Sequence, residues 1–269
     1  MENIVEFDNV SLTYHSQEGE TLAIDELSFA VKQNELFGIV GPSGCGKTTI
    51  LSLISSILSP TAGGIKVCGS SPQESRENIG YMLQKDELFN WRTIFDNIML
   101  GLELRKQKTA ATKAYAMELL EKYNLAEFAK YYPAQLSGGM RQRVALIRTL
   151  VLSPKLLLLD EPFSALDFQS RLKVVNDVHS IIKTEEKTAV FVTHDISEAI
   201  SMCDRIIVLS NRPSKVKCLV ELNTFGNISP LERREHKDFA PLFDKIWKNL
   251  QYDTEKKNDS NIKGTHKLP

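Results

Sequence analysis

The stretch LFGIVGPSGCGKTTILSLISSIL, Leu36 to Leu58, holds three kinds of local structure in succession. Leu36 to Val40 is a continuous apolar run, as expected of a strand buried on both faces. Ile50, Leu53, Ile54 and Ile57 then recur at helical spacing. Between them, Gly41, Gly46, Lys47 and Thr48 fit the pattern Gly-x-x-x-x-Gly-Lys-Ser/Thr, in the strand–loop–helix setting that gives this pattern its meaning. The glycines let the backbone of Gly41, Pro42, Ser43, Gly44, Cys45 and Gly46 wrap a chain of phosphates, whose charge the amides and the helix N-terminus stabilise. Lys47 is expected to reach the β- and γ-phosphates. The Thr48 hydroxyl is expected on Mg²⁺, with Thr49 near the α-phosphate.

Upstream of this loop, IVEFDNVSLTY alternates and LSFAVKQNELFGIVG reads as two strands joined by a turn at Gln33 and Asn34. Downstream, Pro60 and the Gly63-Gly64 pair stop the helix, and IKVCG and IGYMLQ read as a short strand pair. From about Thr93 to Lys130 the pattern is helical, with Ile94, Ile98 and Leu102 on one face and Ala116, Leu119, Leu120 and Tyr123 on another. LLLLD, Leu156 to Asp160, is a second apolar strand. RLKVVNDVHSII and ISEAISMC read as helices, TAVFVTHD and RIIVLS as strands. Strands alternating with helices imply a parallel sheet. Near the end, Ser229-Pro230 looks like a helix start. Phe239, Leu242, Phe243, Ile246, Trp247 and Leu250 form a stripe expected to dock on the protein's own core.

Composition narrows the choice. A chain of 269 residues with a net charge of −1 suits one large domain or a core with a subdomain, and lacks the basic excess usual for nucleic-acid binding. The N-terminus shows no secretory pattern, and no apolar run approaches a membrane span. Cys45, Cys68, Cys203 and Cys218 have neither metal-site nor paired spacing and read as reduced thiols.

Two further segments carry chemistry. Asp160 closes its strand and can hold Mg²⁺ through water, while Glu161 follows at once and is placed to polarise an attacking water. LSGGMRQR, Leu136 to Arg143, offers a small hydroxyl and bare amides (Ser137, Gly138 and Gly139) at a helix N-terminus, which suits an anion.

With LLLLDEP and SALD downstream, LSGGMRQR resembles the signature of the ATP-binding cassette (ABC) ATPases, and the likeness covers about Ile4 to Ser210 firmly. It implies an α/β fold: a P-loop NTPase (RecA-like) core, an N-terminal antiparallel β subdomain and an inserted α-helical subdomain. The boundaries expected are about 1–225 for the ATPase domain, with the helical part at about 88–153, then a helical extension over 226–250 and a disordered tail over 251–269. The resemblance makes Tyr14 the ring that stacks on adenine, with His15 a weaker candidate. Gln84 would contact Mg²⁺ and the lytic water. Asp167 would speak across a dimer, and His194 would sense the γ-phosphate. Each ATP·Mg²⁺ would sit between Lys47 of one copy and Ser137 of a second.

The same resemblance implies membrane permease partners, docked near Gln84 to Trp91 with Phe89 and Trp91 as anchors. A solute-binding protein would act indirectly, and the chain would sit peripherally on the cytoplasmic face of the membrane without nucleic acid. Met140 stands where Gln is more usual, and Asn90 replaces a proline before Trp91. In these features, and in LERREHKDFAPLFDKIWKNL, the chain resembles importers of nitrate, sulfonates and taurine; riboflavin- or thiamine-precursor importers share much of the pattern. Soluble ABC ATPases of DNA repair or translation are the rival class, but their coiled coils, zinc modules and tandem cassettes are missing from this sequence.

Overall fold

Alternate residues of the central strands feed two separate cores. In β3 (Leu36–Val40), Leu36 and Val40 join one core and Phe37 and Ile39 the other; in β6 (Leu156–Asp160), Leu157 and Leu159 oppose Leu156 and Leu158. This is why both strands read as unbroken apolar runs: each face is covered. The computed structural model describes residues 2–17 and 19–262, with side chains described as far as Gln251.

Six strands form the main sheet, in the order β5 (Ile79–Met82), β6, β7 (Thr188–Thr193), β3, β8 (Arg205–Leu209) and β9 (Val216–Glu221). All neighbours run parallel except β8 and β9. The C-terminal ends of β3, β6 and β7 lie side by side, and there the phosphate loop, Glu161 and His194 emerge. A second sheet of three antiparallel strands is made by β2 (Gly19–Lys32), β1 (Asn3–Ser16) and β4 (Ala62–Val67). It covers α1 (Lys47–Ile54) and one face of the main sheet through Val5, Phe7, Ile24 and Leu27.

The opposite face is covered by helices. The inserted segment contributes α2 (Ile94–Leu104), α3 (Ala110–Lys122) and α4 (Gly138–Leu150), and the predicted faces Ile94, Ile98, Leu102 and Ala116, Leu119, Leu120 are buried. Further along are α5 (Phe168–Thr184), α6 (Ile196–Met202), α7 (Pro230–Glu235) and α8 (Phe239–Ile262). The α/β architecture with an antiparallel β subdomain and an inserted helical part is the one the motifs imply.

Three local readings change. IKVCG and IGYMLQ do not pair: β4 joins β1 in the small sheet, while β5 is the edge of the large one beside β6. Helix α1 ends at Ile54, short of the predicted Ile57, because Ser56 takes a left-handed backbone at φ 58°. Strand β9 returns antiparallel to β8 after Asn211, where the pattern alone shows little order. The backbone of α8 is helical through Ile262; of the tail expected over 251–269, residues 263–269 lie outside those described.

Candidate functional site

The loop between β3 and α1 is shaped by its glycines. Gly44 and Gly46 take left-handed backbone, at φ 74° and 112°, which side-chain-bearing residues seldom adopt. Gly46 caps α1, so Lys47, Thr48 and Thr49 occupy its first turn. The Lys47 ammonium donates to the Gly41 and Pro42 carbonyls at 2.9 and 3.0 Å, folded back over its own loop. Its buried charge is met at hydrogen-bond distance by these two carbonyls, with the Asp160 carboxylate near enough to attract it. A lysine so placed at a helix N-terminus fits a bound anion. Cys45 fills the space beneath Gly41, where burial pushes its thiol pKa up.

Asp160 lies beside this turn. The Thr48 hydroxyl donates to Asp160 Oδ1 and the Tyr81 hydroxyl to Oδ2, both at 3.4 Å. Burial raises the pKa of Asp160, and the two hydrogen bonds oppose that rise. Burial also lifts Tyr81, reinforced by the Asp160 charge, so Tyr81 stays a neutral donor. Among the described residues no cluster of three or more His, Cys, Asp or Glu forms a self-sufficient metal cage. One carboxylate and one hydroxyl are the sparse donor set that Mg²⁺ accepts when phosphate oxygens and waters complete its shell.

Glu161 is the focus of a second set of contacts. Its backbone is left-handed at φ 44°, an unfavourable state for a glutamate, and its amide donates to Val192 O of β7 at 2.9 Å. Gln84 Nε2 donates to Glu161 Oε2 at 3.4 Å and to Ser164 Oγ at 3.3 Å. His194 Nδ1 lies 3.1 Å from Glu161 Oε2. Thus Gln84, Glu161 and His194, far apart in sequence, converge on one carboxylate oxygen. The segment after β7 is braced from below: Thr193 Oγ1 donates to buried Glu198 at 2.8 Å, and Asp195 caps α6.

Tyr14 stands beside the first turn of α1. Its hydroxyl is 3.1 Å from Thr49 Oγ1 and its residue is 38% exposed, leaving ring surface open. His15 points away and pairs with Glu20 at 3.2 Å.

Gly41, Pro42, Ser43, Lys47, Glu161 and His194 line one cleft of about 550 Å³. Ser137, Gly138 and Gly139 are not among its lining residues. Ser137 instead caps α4, accepting from Met140 N, and Asp167 caps α5, accepting from Ser170 N at 3.0 Å. The hydrogen bond from Ser170 holds the Asp167 carboxyl below its usual range. Gly138 and Gly139 are helical; a Cβ on them would meet Leu166 Cδ2 at 2.9 Å and Val174 Cγ2 at 2.6 Å.

Several contributors were not foreseen. Tyr81 is one. Asn97, fully buried, accepts from Phe89 N and donates to the Phe89, Arg92 and Thr93 carbonyls, fixing the loop that presents Trp91. Arg141 Nε meets Asp86 Oδ2 at 2.9 Å, and Arg148 donates to the Asp86 and Glu87 carbonyls, tying α4 to the segment after Gln84. Phe89 and Trp91 stack at 4.9 Å, with Trp91 74% exposed. The most unexpected wall of the phosphate cleft is Trp247, Leu250 and Gln251 of α8.

Comparison with known proteins gives a consistent result. A family model described as "ABC transporter" matches residues 24–164. The uncharacterized ABC transporter ATP-binding protein YtlC of Bacillus subtilis is 45% identical over 90% of this chain and 94% of its own length. The taurine import ATP-binding protein TauB of Pelagibacter ubique is 37% identical over 77% of this chain and 79% of its own. The spermidine/putrescine import ATP-binding protein PotA of Mesorhizobium japonicum is 42% identical over 78% of this chain and 58% of its own. A solved dimeric ATP-binding cassette in a post-hydrolysis state, bound to ADP and Pi, superposes with a TM-score of 0.69. It is 30% identical and covers 81% of this chain and 99% of that one.

Proposed function

The chain belongs to the ABC transporter family and is an ATPase, and from that premise we propose that it is the nucleotide-binding subunit of a bacterial-type importer, working as a head-to-tail pair. The observation that carries this reading is the separation of two phosphate-suited segments: Ser137 to Gly139 are absent from the lining of the cleft that Lys47 and Glu161 share. A second copy would bring its own Ser137 there. The solved relative that is a dimer with ADP and Pi supports this arrangement.

In the closed pair, ATP lies with its adenine on Tyr14 and its phosphates over the Gly41 to Thr49 backbone, with Lys47 on the β- and γ-phosphates. Thr48, Asp160 and Gln84 would hold Mg²⁺, which supplies charge neutralisation on the phosphates. Glu161 orients and polarises the attacking water, Gln84 holds the Glu161 carboxylate, and His194 contacts the γ-phosphate beside it. Asp167 reaches toward the opposite copy.

The links from Arg141 and Arg148 to Asp86 and Glu87 support a route from the signature helix α4 to the groove near Gln84 to Trp91. A cytoplasmic helix of a permease would dock there against Phe89 and Trp91. No helix among the described residues is long and apolar enough to cross a membrane; on the importer reading, attachment would be peripheral, through the permease, on the cytoplasmic face. A solute-binding protein would act through the permease. Met140 and the stretch around Trp91 favour a small solute such as nitrate, a sulfonate or taurine, as does the taurine import relative.

A pull-down from membranes tests the reading. Recovery of a multi-span permease is expected, and its loss on Trp91→Ala would place the docking site. Recovery of ribosomes or DNA instead would support the soluble rival. Transport assays with the binding protein encoded beside that permease then identify the solute.

A further inference from the structure

The stripe Phe239, Leu242, Phe243, Ile246, Trp247 and Leu250 does two jobs that its sequence does not separate. Ile246 is fully buried in the core on the helical side of the main sheet, and Phe239, Leu242, Phe243 and Leu250 pack against the same core. Lys217 of β9 bonds the Asn249 carbonyl. Trp247 stacks on Phe243 at 6.2 Å yet stays 47% exposed, and it faces the cleft that contains Lys47, Glu161 and His194.

We propose that α8 is a fixed part of the closing face, so that a second copy entering the phosphate cleft seats against Trp247. The proposal rests on the shared-site reading given above. Three observations lead to it. The cleft lacks Ser137 to Gly139 from its own chain, so whatever completes it must arrive past the residues at its lip. Trp247 and Leu250 form an apolar part of that lip. They offer little to a phosphate, whereas a protein surface covers an exposed indole well. Finally, α8 cannot readily swing aside, because undocking would return Ile246 and its four packed neighbours to water. The indole therefore remains in place and becomes contact surface on closure. The occupant is a second copy of this chain, because the surface is continuous with the site that copy would complete.

The test uses full-length protein. In a Glu161→Gln background with saturating ATP, sedimentation gives the chain concentration at half-dimerisation. Trp247→Glu should raise that concentration about tenfold or more, and Trp247→Phe should hold it within about threefold. The ATP affinity of each variant's dilute monomer is titrated first and ATP is held saturating for that variant, so that a weaker nucleotide site is not read as weaker pairing. As a second readout, Trp91→Phe leaves Trp247 as the only tryptophan of the two in the chain. Its emission should shift to the blue as chain concentration rises at constant ATP. Dimerisation that ignores Trp247, or that tightens when it is changed, overturns the proposal alone, as does emission that never shifts. Failure of the unsubstituted Glu161→Gln chain to dimerise with ATP overturns it together with the shared-site reading.

Discussion

Gly41 to Thr49 and Leu136 to Arg143 both offer glycines at a helix N-terminus, a chemistry suited to phosphate, yet they use glycine for different reasons. In the first, Gly44 and Gly46 are needed for their left-handed backbone, and the space around Gly44 is open. In the second, Gly138 and Gly139 are ordinary helical residues, and what excludes a side chain is the nearness of Leu166 and Val174. The first segment is also surrounded by the rest of its chemistry: Glu161 and His194 line its cleft, Asp160 bonds Thr48, and Gln84 bonds Glu161. The second has its own cap, Ser137, and ties through Arg141 to Asp86 and through Arg143 to Asp177. One is a site built within the chain; the other is a tool presented outward. Glycines that look alike in sequence thus report backbone conformation at Gly44 and Gly46 and close packing at Gly41, Gly138 and Gly139.

The largest effect that probes this contrast is on the first segment's side. Glu161→Gln should retain ATP binding while turnover falls by roughly 10²–10⁴-fold, the range expected for loss of a positioned base. Normal turnover in a steady-state phosphate assay would remove Glu161 from that role. Next, Ser137→Arg should leave ATP binding to the isolated chain intact while reducing hydrolysis at least about tenfold, because the bulk and charge obstruct pairing. An unchanged rate would break the contrast, since the second segment would then have no part in hydrolysis. The smallest effect concerns packing. Gly139→Ala should lower stability by about 1–3 kcal/mol through overpacking against Val174. Gly44→Ala should cost about 1–2 kcal/mol through its backbone. A double-mutant cycle with Val174→Ala separates the two causes. Gly139→Ala should couple to it by at least about 0.5 kcal/mol, and Gly44→Ala should be additive.

Much of the fold was legible because it is written in local pattern. The apolar runs Leu36 to Val40 and Leu156 to Asp160, the glycine loop and the helical faces of α2 and α3 each carry their signal within a short window. The three local misreadings share another origin. The partner of β4 is set by long-range register with β1, the end of α1 by a backbone turn at Ser56, and β9 by pairing with β8. The site divides similarly. Lys47, Thr48, Asp160 and Glu161 sit in motifs, and the structure gathers them with Gln84 and His194. Tyr81, Asn97 and Arg148 carry no motif, because their parts depend on which carboxylate or carbonyl lies across from them. Trp247 was readable as one member of an apolar stripe. That its indole looks into the phosphate cleft depends on how α8 lies on the folded core.

The claim at the centre is that one chain holds half of a hydrolytic site. Turnover per chain, followed over a wide dilution series with ATP kept saturating, tests it most directly. A shared site predicts that specific activity falls toward zero on dilution and saturates at high concentration, while ATP stays bound throughout. Specific activity that stays constant on dilution, with the chain monomeric and nucleotide bound, would contradict it.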